Sequence, residues 1–419
     1  MEKTNHNADD LSGEIYDEPP KHSVLSRKEF KPWHHPRKHW VRINQLCHFT
    51  RKLIKETHFA DDTLRYLTLP GEELLDIQSV GDTVPDGIEE GYEELLDVQA
   101  LEGAIPPKKA TLKLQYLGFN TIGKGEARKA LQNYSESIVA DSSKVDSSKS
   151  KIINGRVQDI ARENTLSHKA LSENGPFNII NLDLCSSIAA PSGHNQPTYF
   201  EAIGKLLEFQ RKNMAQPFIL FISSRSDIED ADADSVATIM NLVNNNVENY
   251  DDFKNRLEEL VEQEAKTLIE NLFAGNKVKQ EDVNRIFGVG LGKWLINLMH
   301  KTHWEVSLED LCCYSVYKQS KKTPNMVSLV FKFTKVNQGM SDDTGLAGNF
   351  KEGNPVKTEP ELAISMLNQC GEIKDVDQIL QNDENLKDKL IEQCGKLLEK
   401  IGYSLDEYKD WADSHFQSV

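Results

Sequence analysis

Long apolar runs are missing from this 419-residue chain. None approaches the roughly 20 residues that a membrane-crossing helix needs, so no membrane partner is expected. The first residues, Met1-Glu-Lys-Thr-Asn-His6, lack the hydrophobic core that marks a signal peptide. Cysteine is scarce: six in all (47, 185, 312, 313, 370, 394), with no CxxC pair and no zinc-like spacing. That excludes a disulfide framework and makes a reduced, cytoplasmic protein the expectation. Basic residues are in deficit, 49 Lys and Arg against 66 Asp and Glu, for a net charge of −17. A uniformly basic nucleic-acid coat protein is therefore excluded.

The charge that is present is segregated. Between Lys21 and Lys55 stand ten Lys/Arg and one acid, Glu29, so the segment carries +9 and the remainder −26. Such a distribution fits one anion-facing patch on an acidic body. Within it, Lys31-Pro-Trp-His-His-Pro-Arg-Lys-His-Trp-Val-Arg42 alternates cations with aromatic rings. Cations neutralise phosphates and rings stack on unpaired bases, so Arg37, Lys38, Trp40 and Arg42 are the expected nucleic-acid contacts. The alternative is a basic arm docked on the protein's own acidic body. His35 and His39, four apart, have no second ligand cluster, and no metal site is expected.

Residues 1–20 read as a polar, disordered leader and 21–58 as a basic amphipathic arm, helical over 38–56. From 59 to 336, runs with strand character (64–69, 112–117, 151–157, 177–183, 217–222, 312–318, 326–333) alternate with helical patterns (72–80, 125–139, 199–213). A helical insertion spans 235–300, a linker 337–358, and an acidic helical tail 359–419. The tail has its own apolar positions, which suit a protein partner. Strands alternating with helices predict an α/β fold with a mostly parallel sheet, and the last two strands an antiparallel edge. Glu73-Leu-Leu-Asp-Ile-Gln78 recurs once, as Glu94-Leu-Leu-Asp-Val-Gln99, too few copies for a repeat protein.

The run Phe177-Asn-Ile-Ile-Asn-Leu-Asp183 has the near-continuous hydrophobicity of a buried parallel strand and ends on an acid. Ligands in open α/β sheets sit at the carboxyl ends of such strands, which makes Asp183 and Asn181 the expected catalytic pair. A turn-capping role for Asp183 is the plainer alternative. Cys185, alone at the strand end, reads as a small apolar filler. Gly71, after the first strand, would let backbone N–H groups approach a ligand, although Pro70-Gly71 also suits a simple tight turn. Gly288-Val-Gly-Leu-Gly-Lys293 lacks phosphate-loop spacing and a preceding strand, so it reads as a helix junction.

Over residues 60–335 this order of segments resembles class I S-adenosylmethionine-dependent methyltransferases, which have a Rossmann-like fold. The resemblance implies a glycine turn after the first strand, beside the cofactor's methionine part. It implies further an acid after the second strand for the ribose, an acid near the third for the adenine, and a polar motif on the fourth beside the transferred methyl group. Carried over, Leu69 and Gly71 stand at the first turn, Asn120 at the second, Asp159 at the third, and Asn181 and Asp183 at the fourth. Leu69, Gly71, Asn120, Asp159 and Asp183 are the expected contacts to S-adenosylmethionine, with Asp183 also orienting or deprotonating a methyl acceptor. The glycine-rich E/DxGxGxG motif is absent, and Asn120 replaces the ribose-binding acid, without the charge-assisted strength of a carboxylate. Pro36-Arg-Lys-His-Trp-Val-Arg42 upstream of Leu64-Arg-Tyr-Leu-Thr-Leu-Pro-Gly71 also looks like a divergent bacterial group. The resemblance implies a methyltransferase-like protein acting on or binding nucleic acid. Its alternative is a catalytically inactive Rossmann-fold scaffold, such as a component of a phage-defence system.

Overall fold

Every expected strand is found, and one more is added from the tail. A computed structural model of the chain describes residues 29–59, 61–85, 112–121, 126–184, 186–227, 231–315, 324–336 and 357–416. The expected leader 1–20, most of the linker 337–358, the second copy of the echo at 94–99 and Cys185 lie outside the described residues. The strands are β1 (Thr63–Thr68), β2 (Lys113–Asn120), β3 (Lys151–Asn154), β4 (Ile179–Asp183), β5 (Phe218–Arg225), β6 (Trp304–Tyr314), β7 (Met326–Lys335) and β8 (Lys374–Asp375). They form one sheet in the order β3-β2-β1-β4-β5-β7-β6-β8. The first five are parallel, and β7 runs antiparallel between β5 and β6. This is an α/β, Rossmann-like sheet closed by an edge hairpin.

Both faces of the sheet are buried, which is why β4 opens on Ile179-Ile180 and β5 on the apolar run Phe218 to Ile222, each turning polar only toward its carboxyl end. Alternate side chains of a strand point to opposite faces. Ile180, Leu182, Leu220 and Ile222 accordingly join one core, with Leu206, Val243, Leu291 and Met366 from the covering helices. Ile179, Ile219 and Phe221 join the other, with Leu46, Phe49, Leu53, Ile77 and Val139.

The arm is thus one of the covering layers. Its α-helical parts, Pro36–Val41 and His48–Glu56, are joined by a π-helical turn, Arg42–Cys47. Leu46, Phe49 and Leu53 are buried against the sheet, and full burial of each such side chain contributes about 1.5–3 kcal/mol.

The expected insertion resolves into four helices, Ala233–Asn249, Asp251–Val261, Ala265–Phe273 and Gln280–Met299, which supply much of the first face. Gly288 to Lys293 lies inside the last of them, not at a junction. There Gly290 and Gly292 permit close helix approach. A Cβ on Gly290 would stand 2.3 Å from Ile239, and one on Gly292 2.4 Å from Met366.

The tail packs on the chain itself. Leu362 and Leu367 of the helix Glu359–Gly371 enter the main core, and β8 pairs parallel with β6. Leu380, Leu390, Leu398 and Tyr403 are buried as well. The tail's described apolar positions are largely spent within the chain.

Candidate functional site

The chain adds strands outward from β1 to β3, then returns to place β4 on the other side of β1. This reversal leaves a crevice at the carboxyl ends of β1 and β4, the place where doubly wound sheets bind ligands. On the β4 bank stand Asn181, buried, and Asp183, partly exposed, so the two residues expected to carry chemistry do share one crevice. On the β1 bank, Asp76 accepts hydrogen bonds from the hydroxyls of Tyr66 (2.8 Å) and Thr68. Asn181 Nδ2 donates to the same Tyr66 oxygen at 3.0 Å, which links the banks. Asp76 occupies the first turn of the helix Leu75–Thr83, where the helix dipole favours an acid. Burial, reinforced by the Asp76 carboxylate, pushes the Tyr66 hydroxyl well above its ordinary range.

The arm fills the space between the banks. Lys38 Nζ donates to the Asp183 carboxylate and, at 2.9 Å, to Tyr314 Oη. Burial alone would lower the Lys38 pKa, but Asp183 and Tyr314 more than reverse this and raise it. Burial also pushes Tyr314 up to about 12. Between the arm and the strands remains a cavity of about 30 Å³, lined by Lys38, Arg42, Gln45, Asp76, Asn181 and Asp183 among others. That is room for roughly one or two water molecules. Gln45 donates to Asp310 and to the Ser328 carbonyl, while its Oε1 lacks a partner among the described residues.

The turn after β1 is covered too. Trp33 Nε1 donates to Glu73 at 2.9 Å and lies against Gly71, 3.3 Å from where a Cβ would stand. Glu73 is buried, which on its own would raise its pKa. The His34 ring at 3.3 Å and hydrogen bonds from Trp33 and Tyr403 instead hold it at about 2. The left-handed residue of this turn is Leu74 (φ 53°) and not Gly71. A bulky residue there costs roughly 1–2 kcal/mol of backbone strain.

The other expected contacts lie apart from this cavity. Leu69 packs against the main core. Asn120 ends β2 and donates its amide to Gln132 Oε1 at 3.1 Å. Asp159 sits in the 3-10 turn Val157–Ala161, where its carbonyl accepts from Thr165 Oγ1 at 2.7 Å. A turn role accounts for its place.

The four residues expected to touch nucleic acid face inward. Arg37 pairs with Asp377, and Lys38 with Asp183. Trp40 is buried in a cluster with Tyr314, Met326, Val376 and Leu380. Arg42 is 3.1 Å from His39 Nδ1 and 3.4 Å from the Trp33 carbonyl. A positive segment beside an acidic body found its countercharges within the chain, which is the docked-arm alternative. Asp76, Gln45, Glu73, Tyr314 and Asp377 were not anticipated. Asp76, an acid in the first turn after β1, carried a local signal; Tyr314 and Asp377 meet partners hundreds of residues away and carried none.

A family model described as PP_RS20740-like matches residues 27–86 and 92–413. No curated protein matches. Several solved structures are similar at low scores, the following two among them. One is the plantazolicin methyltransferase BpumL in complex with SAH, 10% identical, covering 72% of this chain and 85% of that one, with a TM-score of 0.31. The other is PKMT2 from Rickettsia typhi, 11% identical, covering 94% and 75%, with a TM-score of 0.29. Likeness at that level carries nothing about function.

Proposed function

The chain belongs to the PP_RS20740-like family, and we propose that it is a methyltransferase-like protein whose β1–β4 crevice is a site for a ligand of the S-adenosylmethionine class, closed here by the chain's own arm. The observation that supports this is the meeting of Asn181 and Asp183 with the Thr68–Asp76 pair at the switch point of the sheet. Carboxylates and an amide there suit a ligand that carries hydroxyl groups and a positive centre. S-adenosylmethionine, when bound, supplies a methyl group. With the arm seated the crevice has no room for it, so binding requires the arm to lift.

Calorimetric titration with S-adenosylmethionine and S-adenosylhomocysteine tests the reading. The expected result is micromolar binding, about −8 kcal/mol. It should be weakened at least tenfold by Asp183→Asn and untouched by Asp141→Asn, which changes an exposed residue. No heat from folded wild type or from Lys38→Met would sink it.

A second reading, a non-catalytic scaffold on the same fold, is favoured by the pairing of Asp183 with Lys38 and of Asn120 with Gln132. A nucleic-acid partner, proposed from the charge of 31–55, would have to use the cations on the arm's outer turns, Arg51, Lys55 and Lys52, the last already paired with Glu309 at 3.0 Å. Binding that does not weaken with salt removes that partner.

A further inference from the structure

We infer that residues 33–42 form a releasable strap across the crevice, latched by the C-terminal helices and hinged at the π-helical turn Arg42–Cys47. The occlusion is a matter of geometry; only the identity of the ligand it excludes rests on the function proposed above.

The strap touches both banks through polar atoms. Trp33 covers Gly71 and donates to Glu73, while Lys38 holds Asp183. An ammonium seated on a carboxylate can be exchanged for another cation or for water; an apolar plug could not. The strap's own apolar residues, Trp40 and Val41, pack on Val376, Leu380 and Leu390 of the tail and on Cys312, Tyr314 and Met326 of the edge hairpin. Its apolar hold is thus shared between the tail and the edge hairpin.

The latch is built from tail residues. Asp377 takes Arg37. The carbonyl of His34 accepts from Tyr408 Oη at 2.6 Å and from Cys394 Sγ at 3.5 Å. Phe30, just before the strap, lies 5.3–5.6 Å from the rings of Tyr403, Tyr408 and Trp411. From the end of the π turn onward the anchoring changes: Leu46, in its last turn, and Phe49 and Leu53 beyond it sit in the core beneath the sheet. A break in helical geometry therefore separates a strap held on the crevice by polar contacts, and on the tail and edge hairpin by Trp40 and Val41, from a rod buried in the core beneath the sheet. Helices kink at π turns, where the regular hydrogen-bond ladder is interrupted.

A thiol placed in the cavity wall reads the strap without any ligand. Ser223 lines the cavity and is buried, and cysteine nearly matches its size. In full-length Ser223→Cys, alkylation by iodoacetamide, followed by peptide mapping to separate position 223 from the native cysteines, should be slow. Adding Asp377→Asn, or Tyr408→Phe as the milder variant that removes one hydrogen bond, should speed it at least tenfold while the thermal transition stays cooperative. An unchanged rate in a folded latch variant overturns the strap. S-adenosylmethionine titrated into the same variants should bind more tightly than to wild type. A released strap that still binds nothing supports the strap and counts against the proposed ligand.

Discussion

Arg37 and Asp377 stand 340 positions apart and form an ion pair in the interior, with Ser315 donating its N–H and its hydroxyl, each at 2.7 Å, to the second carboxylate oxygen. Removing one member of such a pair strands a buried charge. Arg37→Ala is expected to cost about 3–5 kcal/mol, read as a lower urea midpoint. Asp377→Asn should cost less, because the amide oxygen can still accept from Ser315. A loss under 1 kcal/mol for Arg37→Ala would show the pair to be solvated.

The triple change Arg37, Lys38 and Arg42 to alanine should reduce stability by several kcal/mol, since each side chain is engaged inside the fold. Lys55→Ala, on the exposed turn, should stay within about 0.5 kcal/mol of wild type. Loss of nucleic-acid binding in the triple variant would then report unfolding and not a lost contact. Circular dichroism melts of both variants separate the two cases.

Two glycines make a matched pair. Gly290→Ala must push a Cβ to 2.3 Å from Ile239, and overpacking of that kind costs about 1–3 kcal/mol, partly offset by the better helix propensity of alanine. Gly204, inside the helix Tyr199–Asn213, has nothing within 4 Å of the added carbon. Gly204→Ala should therefore stabilise by about 0.5–1 kcal/mol. Thermal midpoints moving the same way in both variants would refute the packing assignment at Gly290.

Acid should loosen the arm. Burial first, and then Arg37 beside His35 and Arg42 beside His39, push both imidazole pKa values well below 6.5. Half-buried His48 shifts the same way. Below about pH 6.5 the unfolded chain takes up protons that the folded one refuses, so stability falls as pH drops from there toward the lowered folded values. The slope reaches about 1.4 kcal/mol per pH unit for each fully shifted histidine. Glu73, held at about 2 against an ordinary 4.5, loses its contribution only at lower pH. Urea midpoints at pH 7.5 and 5.5 should differ markedly in wild type and less in His39→Gln; equal differences would discard the assignment.

Local patterns revealed what depends on local physics. The apolar runs of β4 and β5 were plain because both sides of a parallel strand are covered. The helix Tyr199–Asn213 has the bounds its periodicity predicts, with a capping box between Thr198 and Glu201. The start of β6 was placed eight residues late. Its first half, Trp304 to Leu308, alternates buried and half-buried residues, a weaker signal than the buried run that ends it. The site was legible where sheet topology decides it, at Asn181 and Asp183. It was obscure where long-range charge pairing decides it: the sequence shows a basic segment and an acidic body but not that Lys38 meets Asp183 and Arg37 meets Asp377. Carried over by resemblance, Asn120 ends β2, while Asp159 lies five residues past the end of β3 in a 3-10 turn, since the strand stops at Asn154 and not at Val157; neither lines the cavity.

The strap and its latch come from opposite ends of the chain, which imposes an order on biosynthesis. The arm leaves the ribosome first and Asp377, Tyr403 and Tyr408 leave it last. At about 5–20 residues per second, the 340 residues between Arg37 and Asp377 take roughly 20–70 s to make. Through that interval β1 to β5 can pair, and Trp33 and Lys38 can meet Glu73 and Asp183, before the tail exists to latch the arm. Until the tail arrives the arm lacks its latch, so a ligand present in the cell during synthesis meets a strap held less firmly than in the finished protein.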